Sequence, residues 1–222
     1  MAQTYLQLIN KVLVALREDT VAGITEPYSA LIGQFVNEAK AHVEDAAPWR
    51  CLRTEVSFAA AANTATVVLT GTNDRSYLML TPTGEELAFR TDAGYEGAIE
   101  VLPIERLRQL KLTSDATDTN EPSFVAFTSD GTNLVAHFWP VPDATYNYKA
   151  VFVVPQDELD EKTDTLTIPW RPVVAQAIFY AMDERGSEFS GRLESVQAKA
   201  ARSLQEAILA DLSQEHWTAT EV

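Results

Sequence analysis

The hydrophobic period changes twice along this chain, and that switch constrains the fold more than any single motif. Leu6, Ile9, Leu13 and Leu16 recur at steps of three and four, as do Leu31, Ile32, Phe35, Ala39 and Val43. That spacing puts side chains on one face of a helix. From Leu52 onward the period is two: Leu52, Thr54, Val56 and Phe58 occupy alternate positions, as the buried face of a strand requires. The helical period returns at Val173, Val174, Ala177, Ile178 and Ala181, and again at Leu193, Val196, Ala200, Leu204, Ile208 and Leu212. A chain so patterned predicts an α+β fold: a helical bundle from N- and C-terminal helices, with an antiparallel β-rich lobe inserted between them.

Punctuation sets the boundaries. Thr4 and Gln7 have capping-box spacing, which predicts a first helix running to about Arg17. Thr25, Glu26 and Pro27 open a second, and Pro48 stops it. Residues 1–50 are therefore the N-terminal helices of the bundle and 51–155 the β-rich lobe, with a short helix near 103–112. Residues 156–222 supply an acidic linker, the C-terminal helices and a tail. Within the lobe, strands are predicted at 64–70, 76–81, 86–91 and 98–102, with Gly71, Pro82, Gly84, Gly94 and Gly97 at the turns. Residues 113–120 read as an exposed loop. Phe124 to Phe127, Leu134 to Phe138 and Tyr146 to Val154 read as a three-strand meander, with Ser129, Asp130, Gly131 and Thr132 as its hairpin turn. Asp157, Glu158, Asp160, Glu161 and Asp164 make a solvated connection, Pro169 and Pro172 bracket the next helix start, and Gly186 ends that helix. The last helix is predicted over about 190–213, burying its apolar stripe, with His216 to Val222 as the tail.

The chemistry-bearing residues are scattered. His42, His137 and His216 fall in a helix, a strand and the tail, and none has a His or Cys partner at metal-ligand spacing. One cysteine, Cys51, excludes an intramolecular disulfide. The glycines form no phosphate-cradling loop, dinucleotide fingerprint or nucleophile elbow. Trp49, Trp139 and Trp170 sit at junctions between elements, where an aromatic closes a core. The expectation is a protein that binds other proteins, without catalysis, metal or cofactor. Thirty-two acidic residues against seventeen basic give a formal charge of -15, which repels nucleic acid. Neither a signal peptide nor an apolar run of roughly 18 to 20 residues is visible, so folding in the cytoplasm and no membrane contact are expected.

The C-terminal end stands out. Glu206, Asp211, Glu215 and Glu221 gather toward the end of the last helix, where the helix dipole favours cations. A basic partner surface with an apolar socket would compensate, with Trp217 as anchor. The candidate partner-binding residues are Glu206, Asp211, Glu215, His216, Trp217, Glu221 and Val222.

The run Phe138-Trp139-Pro140-Val141-Pro142-Asp143, continuing through Tyr146, Tyr148, Phe152 and Pro155, resembles the head-to-tail connector adaptor proteins of tailed bacteriophages. So do Pro48-Trp49-Arg50 after the second helix and the closing helices Trp170 to Asp183 and Arg192 to Asp211. The resemblance covers residues 3–58 and 121–212. It implies a virion protein that forms a ring, a dodecamer, between the portal protein and the tail or nozzle proteins. DNA would pass through its channel without specific binding, and the seven C-terminal candidates would meet the portal. Two alternatives stay open: a carbohydrate-binding or glycan-cleaving phage tail protein using Tyr77 or Tyr95, and a tail tube or tail terminator subunit.

Overall fold

The computed structural model describes residues 2–79, 88–92, 97–113, 119–186 and 191–218, with 214–218 described by backbone alone. Its helices are α1 (Tyr5–Ala15), α2 (Pro27–Asp45), α3 (Ile104–Thr113), α4 (Trp170–Glu184) and α5 (Leu193–Thr218), with a 3-10 turn at Arg50–Leu52. The longer strands are β1 (Arg53–Ala60), β2 (Thr66–Leu69), β8 (Phe124–Ser129), β9 (Leu134–Trp139) and β11 (Tyr146–Val153). The shorter are β3 (Tyr77–Leu78), β4 (Ala88–Arg90), β5 (Gly97–Ala98), β6 (Glu100–Val101), β7 (Thr119–Asn120) and β10 (Val141–Pro142). Two compact units divide the chain: Met1–Cys51 with Gln156–Val222, and Leu52–Pro155.

The first unit is helical. Its entry is the expected capping box: the Gln7 amide donates to Thr4 Oγ1 at 3.3 Å, and the Thr4 amide to Gln7 Oε1 at 3.0 Å. The stripe Leu8, Ile9, Val12 and Leu13 of α1 is buried against α2 and α4. Val36, Ala39 and Val43 of α2 and Val173, Val174 and Ala177 of α4 complete that core. Helices from both ends of the sequence thus share one bundle, with α5 packed on α4. Asn10 pins the α1–α2 loop by accepting from the Val21 amide at 2.8 Å and donating to the Val21 carbonyl at 3.0 Å.

Two expectations for this unit need correction. The acidic connection is not simply solvated: Leu159 is buried, and its peptide is held on both sides by Asn37, at 3.0 and 3.1 Å. Asp164 folds the surrounding acids outward by accepting from the Asp160 and Glu161 amides at 2.9 and 2.8 Å. The stripe of α5 is also not buried. Ala200 is buried, but Leu193, Val196, Leu204 and Ile208 are half-covered, and Leu212 is 47% exposed. Among the described residues α5 packs chiefly on α4, which covers only one side of so long a helix.

The second unit is β-rich. One sheet runs β1-β11-β4-β5 with β3 also on β11, another runs β2-β9-β8-β6, and β7 pairs with β10. Pairings are antiparallel except β6 with β8 and β7 with β10. The two larger sheets enclose a single core, including Val56, Phe58, Leu69, Val125, Phe138, Tyr148 and Phe152. Alternation in β1 holds from Val56 on, with Val56, Phe58 and Ala60 in and Ser57 and Ala59 out, whereas Thr54, expected on the buried face, is exposed. At the centre, Tyr148 stacks on Phe58 and Phe138 with ring centroids 5.9 and 5.3 Å apart, and Phe127 meets Phe152 edge-on at 5.2 Å. Helix α3 covers the outer side of β8 and β9 through Leu107 against Ala126 and Trp139.

The predicted meander is broken. β8 and β9 form the expected hairpin, its turn fixed by Asp130 Oδ1 accepting from the Thr132 and Asn133 amides at 2.8 Å each. β11, however, leaves for the other sheet and pairs with β1 along its whole length. The connection explains this: Pro140 and Pro142 offer no amide proton to a hairpin ladder, and Val141–Pro142 is itself paired with Thr119–Asn120. That pairing also makes residues 119 and 120 a short strand where a loop was expected. Leu80, Thr81, Pro82, Gly84, Glu86, Leu87 and Gly94, predicted as strand or turn, and 114–118 of the predicted loop lie outside the described residues.

Candidate functional site

The seven C-terminal candidates divide by place. Glu206 and Asp211 lie on the described part of α5 and line one groove of the helical unit, of about 560 Å³. Glu215, His216 and Trp217 belong to the backbone of the same helix, which continues to Thr218. Trp217 is therefore helical, where a tail was expected. No Gly or Pro follows Gly191, so nothing in the sequence stops the helix at Ser213. Glu221 and Val222 lie outside the described residues. With α5 running on to Thr218, Glu206 and Asp211 stand before its last turn, beyond the reach of the helix dipole's C-terminal end.

Asp211 has a local partner instead. Its Oδ2 accepts from the Arg50 amide at 3.2 Å, at the start of the 3-10 turn whose next residue, Cys51, is exposed in the same groove. Burial pushes the Cys51 thiol up, and the Asp211 and Glu44 carboxylates push it further. Both effects oppose thiolate formation, the reverse of what a nucleophilic cysteine needs. The groove's floor and other wall are formed by Leu166, Ile168, Pro169, Trp170, Arg171 and Pro172. Trp170 is half-buried beneath cations, with Lys11 Nζ 4.5 Å and the Arg171 guanidinium 5.8 Å from its ring centroid. Along α5, Ala207 and Ala210 leave room between the two acids, and Ser203 lies one turn before Glu206. The result is a cleft with acids on its α5 wall and an apolar floor.

The histidines stay apart. His42 is exposed on α2, while His137 on β9 meets Thr128 Oγ1 through Nε2 at 2.7 Å. Burial, then the Lys111 and Arg108 cations, hold His137 below the usual histidine range. Among the described residues no group of His, Cys, Asp or Glu comes together to hold a metal ion.

In the β unit, the turn after β9 is built on an ion-pair cluster that sequence reasoning missed. Tyr146 Oη donates to Asp143 Oδ1 at 2.5 Å, and the Arg90 guanidinium lies 4.5 Å over the Tyr146 ring. Arg90 Nε donates to Asp92 Oδ2 at 2.7 Å, and Nη1 reaches Glu121. Asp92, which also accepts from Asn147 Nδ2 at 2.8 Å, is held below the usual carboxylate range chiefly by Arg90. Tyr77 is partly exposed, whereas Tyr95 lies outside the described residues.

A second missed feature is in the bundle. Lys40 and Glu44 form a fully buried ion pair that grips the Gln156 peptide from both sides. The spacing of four was the available signal.

Compared with known families, the chain matches one, described as SU10 adaptor protein, over residues 3–221. A search of curated proteins finds no match.

Proposed function

The chain belongs to the SU10 adaptor protein family, a family of phage structural adaptors, and on that premise we propose that it forms a ring between the portal and the tail. The helices of the first unit make the ring body, and the β unit faces tail components. Its role is structural, in the virion. DNA leaves through the lumen without specific binding, because -15 formal charges on every copy repel the phosphate backbone.

The observation that carries the ring is the uncovered side of α5. Leu209 is 66% exposed and Leu212 47%, in line with the half-covered Leu204 and Ile208. An apolar stripe left open on a helix is a surface awaiting a partner. A neighbouring copy supplies one repeatedly, and a heterologous contact of that kind closes into a ring when its rotation permits.

Native mass measurement with and without the portal protein tests both parts. The expected result is a closed ring, a dodecamer by the family resemblance, that gains mass when portal is added. A chain that stays monomeric at high concentration with portal present would overturn the proposal. Portal contact at the C-terminal end is tested separately with a chain ending at Leu212. Undiminished portal binding by that chain would remove Glu215, His216, Trp217, Glu221 and Val222 from the contact.

A further inference from the structure

We propose that the groove between α5 and the start of α4 is the receiving half of the portal contact, taking a cationic segment of the portal with one apolar side chain seated on the floor. This rests on the reading above that the C-terminal part of the chain meets the portal. It differs in which side inserts: that reading makes Trp217 the anchor, whereas here the adaptor supplies the socket.

Three features of the groove specify the occupant. Its volume, about 560 Å³, lies in the range that accommodates a large side chain with flanking backbone. Its floor is apolar, from Leu166, Ile168, Ala207 and the Trp170 ring, while Ala210 and Ser203 on α5 add no bulk to block approach. Its charges are unevenly placed. Glu206 and Asp211 both lie on the α5 wall, and the Asp211 carboxylate is close enough to push the Cys51 thiol up. The cations, Lys11 and Arg171, are engaged over the Trp170 ring on the opposite wall. A segment lying along α5 therefore meets negative charge first, and the chain as a whole adds to that attraction. Charge complementarity selects a basic segment, and the apolar floor selects one with a hydrophobic side chain among its cations.

Cys51 makes the idea measurable, because it is the single cysteine of the chain and lies exposed in this groove. The rate of its alkylation by N-ethylmaleimide is compared in the free chain, in the adaptor ring and in the ring bound to portal protein, all at one pH. The expected result is unchanged alkylation in the ring and at least tenfold slower alkylation once portal is bound. Two substitutions at exposed positions, Ala210→Trp to fill the groove and Glu206→Lys to reverse its charge, should each weaken portal binding by tenfold or more without disturbing ring mass. Unprotected Cys51 in a complex that nonetheless forms, or wild-type portal affinity in Ala210→Trp, overturns the socket while leaving the portal reading intact. Protection already complete in the ring without portal assigns the groove to a neighbouring copy and overturns it equally. Failure of any complex to form removes both readings.

Discussion

Lys40 Nζ lies 3.2 Å from Glu44 Oε1 on α2, with both residues 1% exposed, and the pair brackets the Gln156 peptide: Lys40 donates to its carbonyl at 2.5 Å, and its amide donates to Glu44 at 3.1 Å. A long-range junction between residue 156 and α2 is thus made by two charges that water cannot reach. Removing one member strands the other, at a cost of about 3–5 kcal/mol. Lys40→Met should show that loss in urea denaturation. Lys40→Met with Glu44→Leu should recover most of it, retaining a deficit of about 1–3 kcal/mol for the unpartnered Gln156 peptide. Equal stability of the single and double variants would show that the charges are not coupled.

Gly33 reverses a common rule. Within a helix, Gly→Ala ordinarily stabilises by about 1 kcal/mol. At Gly33 a Cβ would collide with the Tyr5 hydroxyl and stand 3.1 Å from its ring carbon Cζ and 3.5 Å from Ile9 Cδ1. The missing side chain lets α1 and α2 approach. Gly33→Ala should therefore destabilise by about 1–3 kcal/mol, the usual cost of overpacking. Adding Tyr5→Phe should return part of the loss, which calorimetric melting of the four proteins of the cycle would measure.

These two sites mark where sequence reading ends. The capping box at Thr4 and Gln7, the Pro27 start of α2, the alternation of β1 and the Asp130-Gly131 turn are local, and their residues state the structure directly. The α+β architecture follows from the same periodicities. The departure of β11 to the other sheet does not, because it depends on β10 pairing with residues more than twenty positions earlier. The burial of Leu159 amid five acids depends on Asn37, also distant in sequence. At the candidate site, Glu206 and Asp211 were recognisable as unusual acids, but the groove they line exists only once α5, α4 and residue 51 are brought together.

Alkaline pH should weaken the helical unit. Burial, with Asp160 and Glu158 adding to it, pushes the Tyr5 hydroxyl up to about 12 from 10.0. A group that holds its proton more tightly when folded contributes stability that is fully present below the unfolded pKa and is lost as pH rises through the folded one. The contribution from Tyr5 should hold to pH 10 and disappear by about pH 12. Tyr148 in the β unit, raised in the same direction by burial, adds a loss of the same sign. Urea midpoints from pH 8 to 12 test this, and Tyr5→Phe should show a shallower alkaline decline than the parent chain.

The open side of α5 yields the prediction that separates assembly from folding. Leu209 and Leu212 are 66% and 47% exposed, so within one chain their replacement removes little buried area, and exposed substitutions usually change stability by less than about 0.5 kcal/mol. In a ring that uses this stripe, the same side chains are covered by the neighbouring copy. A carboxylate placed there would have to be desolvated against an already acidic neighbour, which costs far more than the lost apolar contact. Leu209→Glu with Leu212→Glu should therefore melt within a few degrees of the parent chain yet run as a monomer in native mass spectra where the parent forms a ring. A double variant that still closes the ring would show that the contact between copies lies elsewhere on the helical unit. A variant that fails to fold would show that α5 is held to its own chain through these two leucines, against the exposure they have here.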